Sequence, residues 1–196
     1  MSQLKVVELN VESNRTQTLA PIVYTIRQQS KKQLNELLQN LFNNTDDALF
    51  ELADRSRSEH HQEMYFDSMR IIRLHRKTLT SNFIRAFHDS FDTAFSPSST
   101  ELDTEDGDLE EYSLLEQDEL EMSVAVSGIV SKVTSQHSLV VMQLTKRLDS
   151  LAKNSTITER SNPLAPYALS SSFANALSTL DVSIKVRIIF MKMFER

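Results

Sequence analysis

The 196-residue chain contains two glycines, Gly107 and Gly128, and this scarcity constrains its fold more than any other feature. The tight turns of a sheet-rich protein need residues that tolerate positive φ, and glycine does so at least steric cost. Two glycines and four prolines (Pro21, Pro97, Pro163 and Pro166) cannot punctuate many strands. The composition therefore implies an all-α fold. With 40% apolar and 24% charged residues, the chain has the makeup of an ordinary globular protein. A compact domain of this length buries roughly 70% of its unfolded surface.

Apolar spacing divides the chain into segments. Residues 1–20 are polar and weakly patterned and are expected to form a mobile arm, ahead of a helical domain over 21–196. Pro21 suits a first helical turn. Behind it Ile22, Ile26, Leu34, Leu37, Leu38 and Leu41 form an apolar stripe at helical spacing. Asn43-Asn44-Thr45-Asp46-Asp47 is expected to break that helix and cap a short one burying Leu49, Phe50 and Leu52. Residues 58–95 hold no proline or glycine. They carry Tyr65, Met69 and Ile72, then Leu79, Phe83, Phe87, Phe91 and Phe95 at strict i, i+4 spacing, which stacks on one helical face.

A linker is expected at about 96–112, where Ser96-Pro97-Ser98-Ser99-Thr100 leads into acids, followed by a capping box from Ser113 to Glu116. The next stripe runs through Met122, Val126, Ile129, Val133, Val140, Val141, Leu144, Leu148 and Leu151. These two long helices are expected to fold back as an antiparallel hairpin across a disordered acidic loop. After a second break at 154–166 comes a helix with Leu169, Phe173, Leu177 and Leu180. A last one over 182–196, capped by Asp181, is apolar on more than one face.

The net charge of −6 is unevenly distributed. Eleven of the 27 acids lie between Glu101 and Glu121, a stretch without Lys or Arg. The remaining sixteen face 21 Lys and Arg, so the rest of the chain carries about +5. With no cysteine, disulfides and thiolate metal sites are excluded. The first twenty residues do not form a secretory signal, and no apolar run reaches the ~18 residues of a membrane span. A cytoplasmic protein is expected.

Several blocks resemble a known bacterial family. They are Phe42-Asn43-Asn44-Thr45-Asp46-Asp47-Ala48-Leu49-Phe50-Glu51-Leu52-Ala53-Asp54, Tyr65-Phe66-Asp67-Ser68-Met69-Arg70, Asp118-Glu119-Leu120-Glu121, Asn162-Pro163-Leu164-Ala165-Pro166 and Leu180-Asp181-Val182. The family is catalogued as domain of unknown function 1631. The resemblance covers roughly residues 35–196. It implies an N-terminal portion of a longer protein and brings no catalytic residues with it. Some family members carry a thymidine phosphorylase label. That chemistry calls for glycine-rich backbone or a basic cradle around an anion. Gly107 lies in the acidic stretch and Gly128 inside a helix, so this activity is not expected.

No catalytic, cofactor or metal residues are expected. His60 and His61 point about 100° apart on a helix, His75, His88 and His137 read as solvated or core-edge, and no Glu-x-x-His pair occurs. The candidate anion or partner contact is the basic stretch Arg70, Arg73, Arg76, Lys77 and Arg85, in which Arg70, Arg73 and Lys77 make one cationic strip. No aromatic residues interleave with it for base stacking, so nucleic acid is an unfavoured partner. The candidate interface is Ile184, Ile188, Phe190, Met191 and Phe194, because a terminal helix so apolar calls for cover. That cover would be a protein partner, a downstream part of the same protein or a second copy. The expected role is a non-catalytic helical binding or regulatory module. The alternative is an anion-binding domain using the strip from Arg70 to Arg85.

Overall fold

The computed structural model describes residues 20–96, 117–152 and 155–195. The described residues form six helices and no strand: α1 (Pro21–Asp54), α2 (Glu59–Phe95), α3 (Gln117–Gln136), α4 (Ser138–Asp149), α5 (Pro166–Ser178) and α6 (Ile184–Phe194). The all-α class is as expected. The N-terminal arm, the linker core and the Ser113 capping box lie outside the described residues.

The expected break at residues 43–47 does not occur, and α1 runs unbroken for 34 residues. Polar residues disfavour a helix interior when their side chains compete for backbone groups, but here they find other partners. Thr45, fully buried, donates to the Leu41 carbonyl at 2.8 Å. Asp46 receives the Arg73 guanidinium, with Arg73 Nε 2.9 Å from Oδ1, and Asn43 accepts from Arg76 at 3.1 Å. Leu49 is buried as expected, but Phe50 (54% exposed) and Leu52, also expected inside, lie on the surface, and Ala53 is buried instead.

The long hairpin is formed by different helices from those expected. The pair is α1 and α2, joined by residues 55–58. As α1 advances its partners on α2 recede: Arg27 meets Asp92, Asn43 meets Arg76, and Asp46 meets Arg73. This reciprocal order is that of an antiparallel pair. Across the acidic stretch, α2 and α3 are instead bridged by α5, which packs on both. The expected second long helix is also interrupted. At His137 (φ −121°, ψ 24°) the chain bends, although the bonds from His137 N to Val133 O and from Val141 N to His137 O persist, both 2.9 Å. The residues there, Ser131 to Ser138, are largely weak helix formers. Ser123, Ser127, Ser131, Ser135 and Ser138 of this segment are exposed, and Thr134 is half-buried.

Aromatic rings hold the core together. Phe83 of α2 meets Phe173 of α5 edge-on at 5.8 Å, Phe173 stacks on Phe194 of α6 at 4.4 Å, and Phe190 reaches Phe42 of α1 at 6.0 Å. Such pairs each add about 0.5–1.5 kcal/mol beyond area burial. Leu79, Phe83, Phe87 and Phe91 are almost fully buried, as their spacing requires. The connection from α4 to α5 is pinned by Asn162, which is fully buried. Its Nδ2 donates to Thr145 Oγ1 at 2.9 Å, and its Oδ1 accepts from Leu164 N at 2.8 Å.

Candidate functional site

The cationic strip is largely occupied by the fold itself. Arg73 makes a two-pronged pair with Asp46, whose hydrogen bond, and then charge, raises the arginine pKa above its ordinary value. Arg76 lies over the Phe42 ring, 4.9 Å from its centre, and donates to Gln39 O at 2.8 Å and Asn43 Oδ1 at 3.1 Å. Arg85 donates to Asn82 of its own helix at 3.2 Å. Arg70 and Lys77 are exposed on α2. The charges that looked like a phosphate track are in good part the clasps of the hairpin.

At the open end of that hairpin, Arg27 is buried and pairs with Asp92 at 2.6 Å. Asp92 stands one helical turn after His88, so this histidine, read from sequence as having no carboxylate at i+4, does have one. Its carboxylate is directed to Arg27, and burial, followed by the charges of Arg27 and Lys31, lowers the His88 pKa below its ordinary value. No group of three or more metal-ligating side chains occurs among the described residues.

The last helix sits at the centre of the bundle, which accounts for its apolar composition. It packs on α1, α3 and α5, with Val186, Phe190 and Met191 essentially inaccessible. Phe190 and Met191, expected at an interface, are therefore core residues. Ile184, Ile188 and Phe194 are half-buried. Ser183 rather than Asp181 stands at the N-cap. Glu195 pairs with Lys132 and so ties the end of this helix to α3.

Sequence reasoning missed an apolar cleft of about 560 Å³. One wall is α1, with Leu34, Leu37, Leu38 and Leu41. The other is the bent α3–α4 pair, with Ile129, Val133, Val140, Val141 and Leu144. Phe83, Leu164, Pro166, Leu169, Ser170, Met193 and Phe194 also line it. Leu37 and Val140, one from each wall, were both expected inside, yet each is 62% exposed. Their stripes are correctly placed, but nothing among the described residues covers them there. The polar members of the lining are few: Asn40, Asn44, Ser170 and Glu195. The signal available in the sequence was the run of weak helix formers around His137, where the chain bends between α3 and α4.

Fold and cleft define the class of protein, an all-α domain with an open apolar cleft beside a clasped helical hairpin. The sequence family described as "Protein of unknown function (DUF1631) N-terminal domain" matches residues 18–196, and the chain belongs to that family. No curated protein and no solved structure matches the chain. No helix among the described residues is long and apolar enough to cross a membrane.

Proposed function

We propose that this domain is a non-catalytic binding module and that it binds an apolar ligand in the cleft between α1 and α4. The observation that carries this reading is the exposure of Leu37 and Val140 on facing walls of a 560 Å³ cavity. Ligand sites fall in the range of about 300–1,000 Å³ and are mostly apolar with a few polar groups, as this one is. The reading also fits the occupation of Arg73 and Arg76 within the hairpin, which leaves the rival cationic strip fewer charges for an anion.

The test is titration with an environment-sensitive apolar dye. The wild-type chain is expected to bind it saturably. Leu37→Glu and Val140→Glu should each abolish that binding while shifting stability by no more than about 0.5 kcal/mol, as surface positions do. Saturable binding that survives both substitutions would place the ligand elsewhere.

A further inference from the structure

We infer that the cleft is occupied, when no external ligand is present, by residues 4–11 of the same molecule's N-terminal arm. This rests on the reading of the cleft as an apolar binding site and adds its regulation: a ligand has to displace the arm.

The place where the arm joins the fold points to the cleft. Ala20, the residue ahead of α1, packs against the small buried cluster of Val23, Phe87 and Phe91. Leu34, Leu164 and Leu169 pack on that same cluster, and all three also line the cleft. Val23 and Leu34 stand about three helical turns apart, so they share one face of α1. The arm therefore joins the fold on the side of α1 that forms the cleft wall.

Its reach agrees. From Ala20 to Leu34, the first cleft residue of α1, the helix advances about 21 Å. The backbone from Val11 to Ala20 spans at most about 30 Å when extended. The polar residues 12–18 are thus long enough to bring Val11 to the near end of the cleft, and residues 4–10 can lie along it.

The chemistry matches as well. Residues 4–11 hold the apolar side chains Leu4, Val6, Val7, Leu9 and Val11, with the opposite charges of Lys5 and Glu8. Val7, Leu9 and Val11 alternate with Glu8 and Asn10, so that an extended segment turns one apolar edge to the walls. It brings no net charge to a lining whose ionic group, Glu195, is already paired with Lys132. The acidic stretch after α2 has no such match, since the lining offers it no Lys or Arg among the described residues. Tethering favours the same molecule over a second copy. A short linker holds its segment at an effective concentration on the order of millimolar, which a free chain of equal affinity does not reach.

The experiment uses the full chain. It has no cysteine, so Gln3→Cys takes a single nitroxide label. That label should broaden the amide signals of residues 34–41 and 140–144, and saturating 1-decanol should relieve the broadening. A mixture of labelled chain and unlabelled, isotope-enriched chain should show none. Val7→Glu combined with Leu9→Glu should abolish the broadening. The same pair should tighten binding of the apolar dye by roughly three- to tenfold, because an arm that fills the cleft most of the time leaves only the remaining molecules open. Unchanged dye affinity in that variant would overturn the inference while leaving the cleft as a binding site. So would broadening that is absent, spread evenly over the surface or unaffected by decanol. Equal broadening in the mixture would also overturn it, giving the cleft to the arm of a second copy. Dye that binds neither the wild-type chain nor the variant would defeat the earlier reading, and the inference with it.

Discussion

The hairpin of α1 and α2 and the wall formed by α3 and α4 are both long, amphipathic and capable of burying a stripe, yet the fold treats them differently. Along the hairpin, Asp46 with Arg73, Asn43 and Gln39 with Arg76, and Arg27 with Asp92 fix one register. Buried residues recur along α2 from Ser68 to Ala94. On α4, Val141, Thr145 and Leu148 are buried, while Leu139, Val140 and Met142 face outward. Apolar periodicity thus places a residue on a face without deciding whether that face is covered. In this chain the polar clasps mark the scaffold, and the uncovered stripe lines the cleft that we propose as a binding site.

The largest expected effect lies in the scaffold. Phe87→Ala removes an almost fully buried ring packed 5.1 Å from Phe91 and should destabilise the domain by about 3–5 kcal/mol in urea denaturation. A shift below about 1 kcal/mol would erase the distinction from α4, since that is the range of ordinary substitutions.

Asn162→Ala tests the anchor of the wall. It removes two hydrogen bonds, one buried and one partly buried, and should cost about 1–3 kcal/mol. Hydrogen exchange should rise in α4 and the following connection before it rises in α2. Faster exchange in α2 first would show that Asn162 supports the scaffold instead.

A smaller change, of opposite sign, belongs to α3. A Cβ on Gly128 would meet nothing within 4 Å, and the residue is exposed within the helix. Gly128→Ala should therefore stabilise the domain by about 0.5–1 kcal/mol, through the lower backbone entropy of the unfolded chain. A lowered melting temperature would mean that this face of α3 is occupied.

The smallest effect is a pH dependence at the open end of the hairpin. Burial, then Arg27 and Lys31, lowers the His88 pKa from its ordinary 6.5 against the opposing pull of Asp92 and Asp89. The unfolded chain therefore takes up this proton at a higher pH than the folded one. His88 makes its full contribution to stability above about pH 6.5, and that contribution is lost as pH falls toward the depressed folded value. His88→Gln should flatten the profile in that window. An unchanged slope would assign the dependence to other groups.

Much of the scaffold was legible in the sequence. Two glycines implied helices, and the Leu79 to Phe95 ladder gave both α2 and its buried face. The polar block at 43–47 misled because Asn and Asp break helices only when no partner across the groove takes their side chains, and Arg73 and Arg76 lie about thirty residues away in sequence. Those same contacts explain why the basic strip looked functional. The last helix was legible as one that needs cover, but not that α1, α3 and α5 of the same chain supply much of it. The cleft was not legible, because it depends on how α1 and the bent α3–α4 pair stand opposite each other, which local spacing does not encode.

Backbone amide hydrogen exchange with and without 1-decanol tests the central claim most directly. Local opening is easiest where few apolar contacts are buried. The account predicts that amides of α4 around Val140 to Leu144 exchange well before those of α2 around Phe83 to Phe91. It also predicts that decanol protects α4 and the Leu34 to Leu41 turn of α1. The exposed Phe50–Phe66 pair at the closed end of the hairpin should be unaffected. Equal protection of α4 and α2 in the free chain, or decanol protection centred on Phe50 and Phe66, would contradict it.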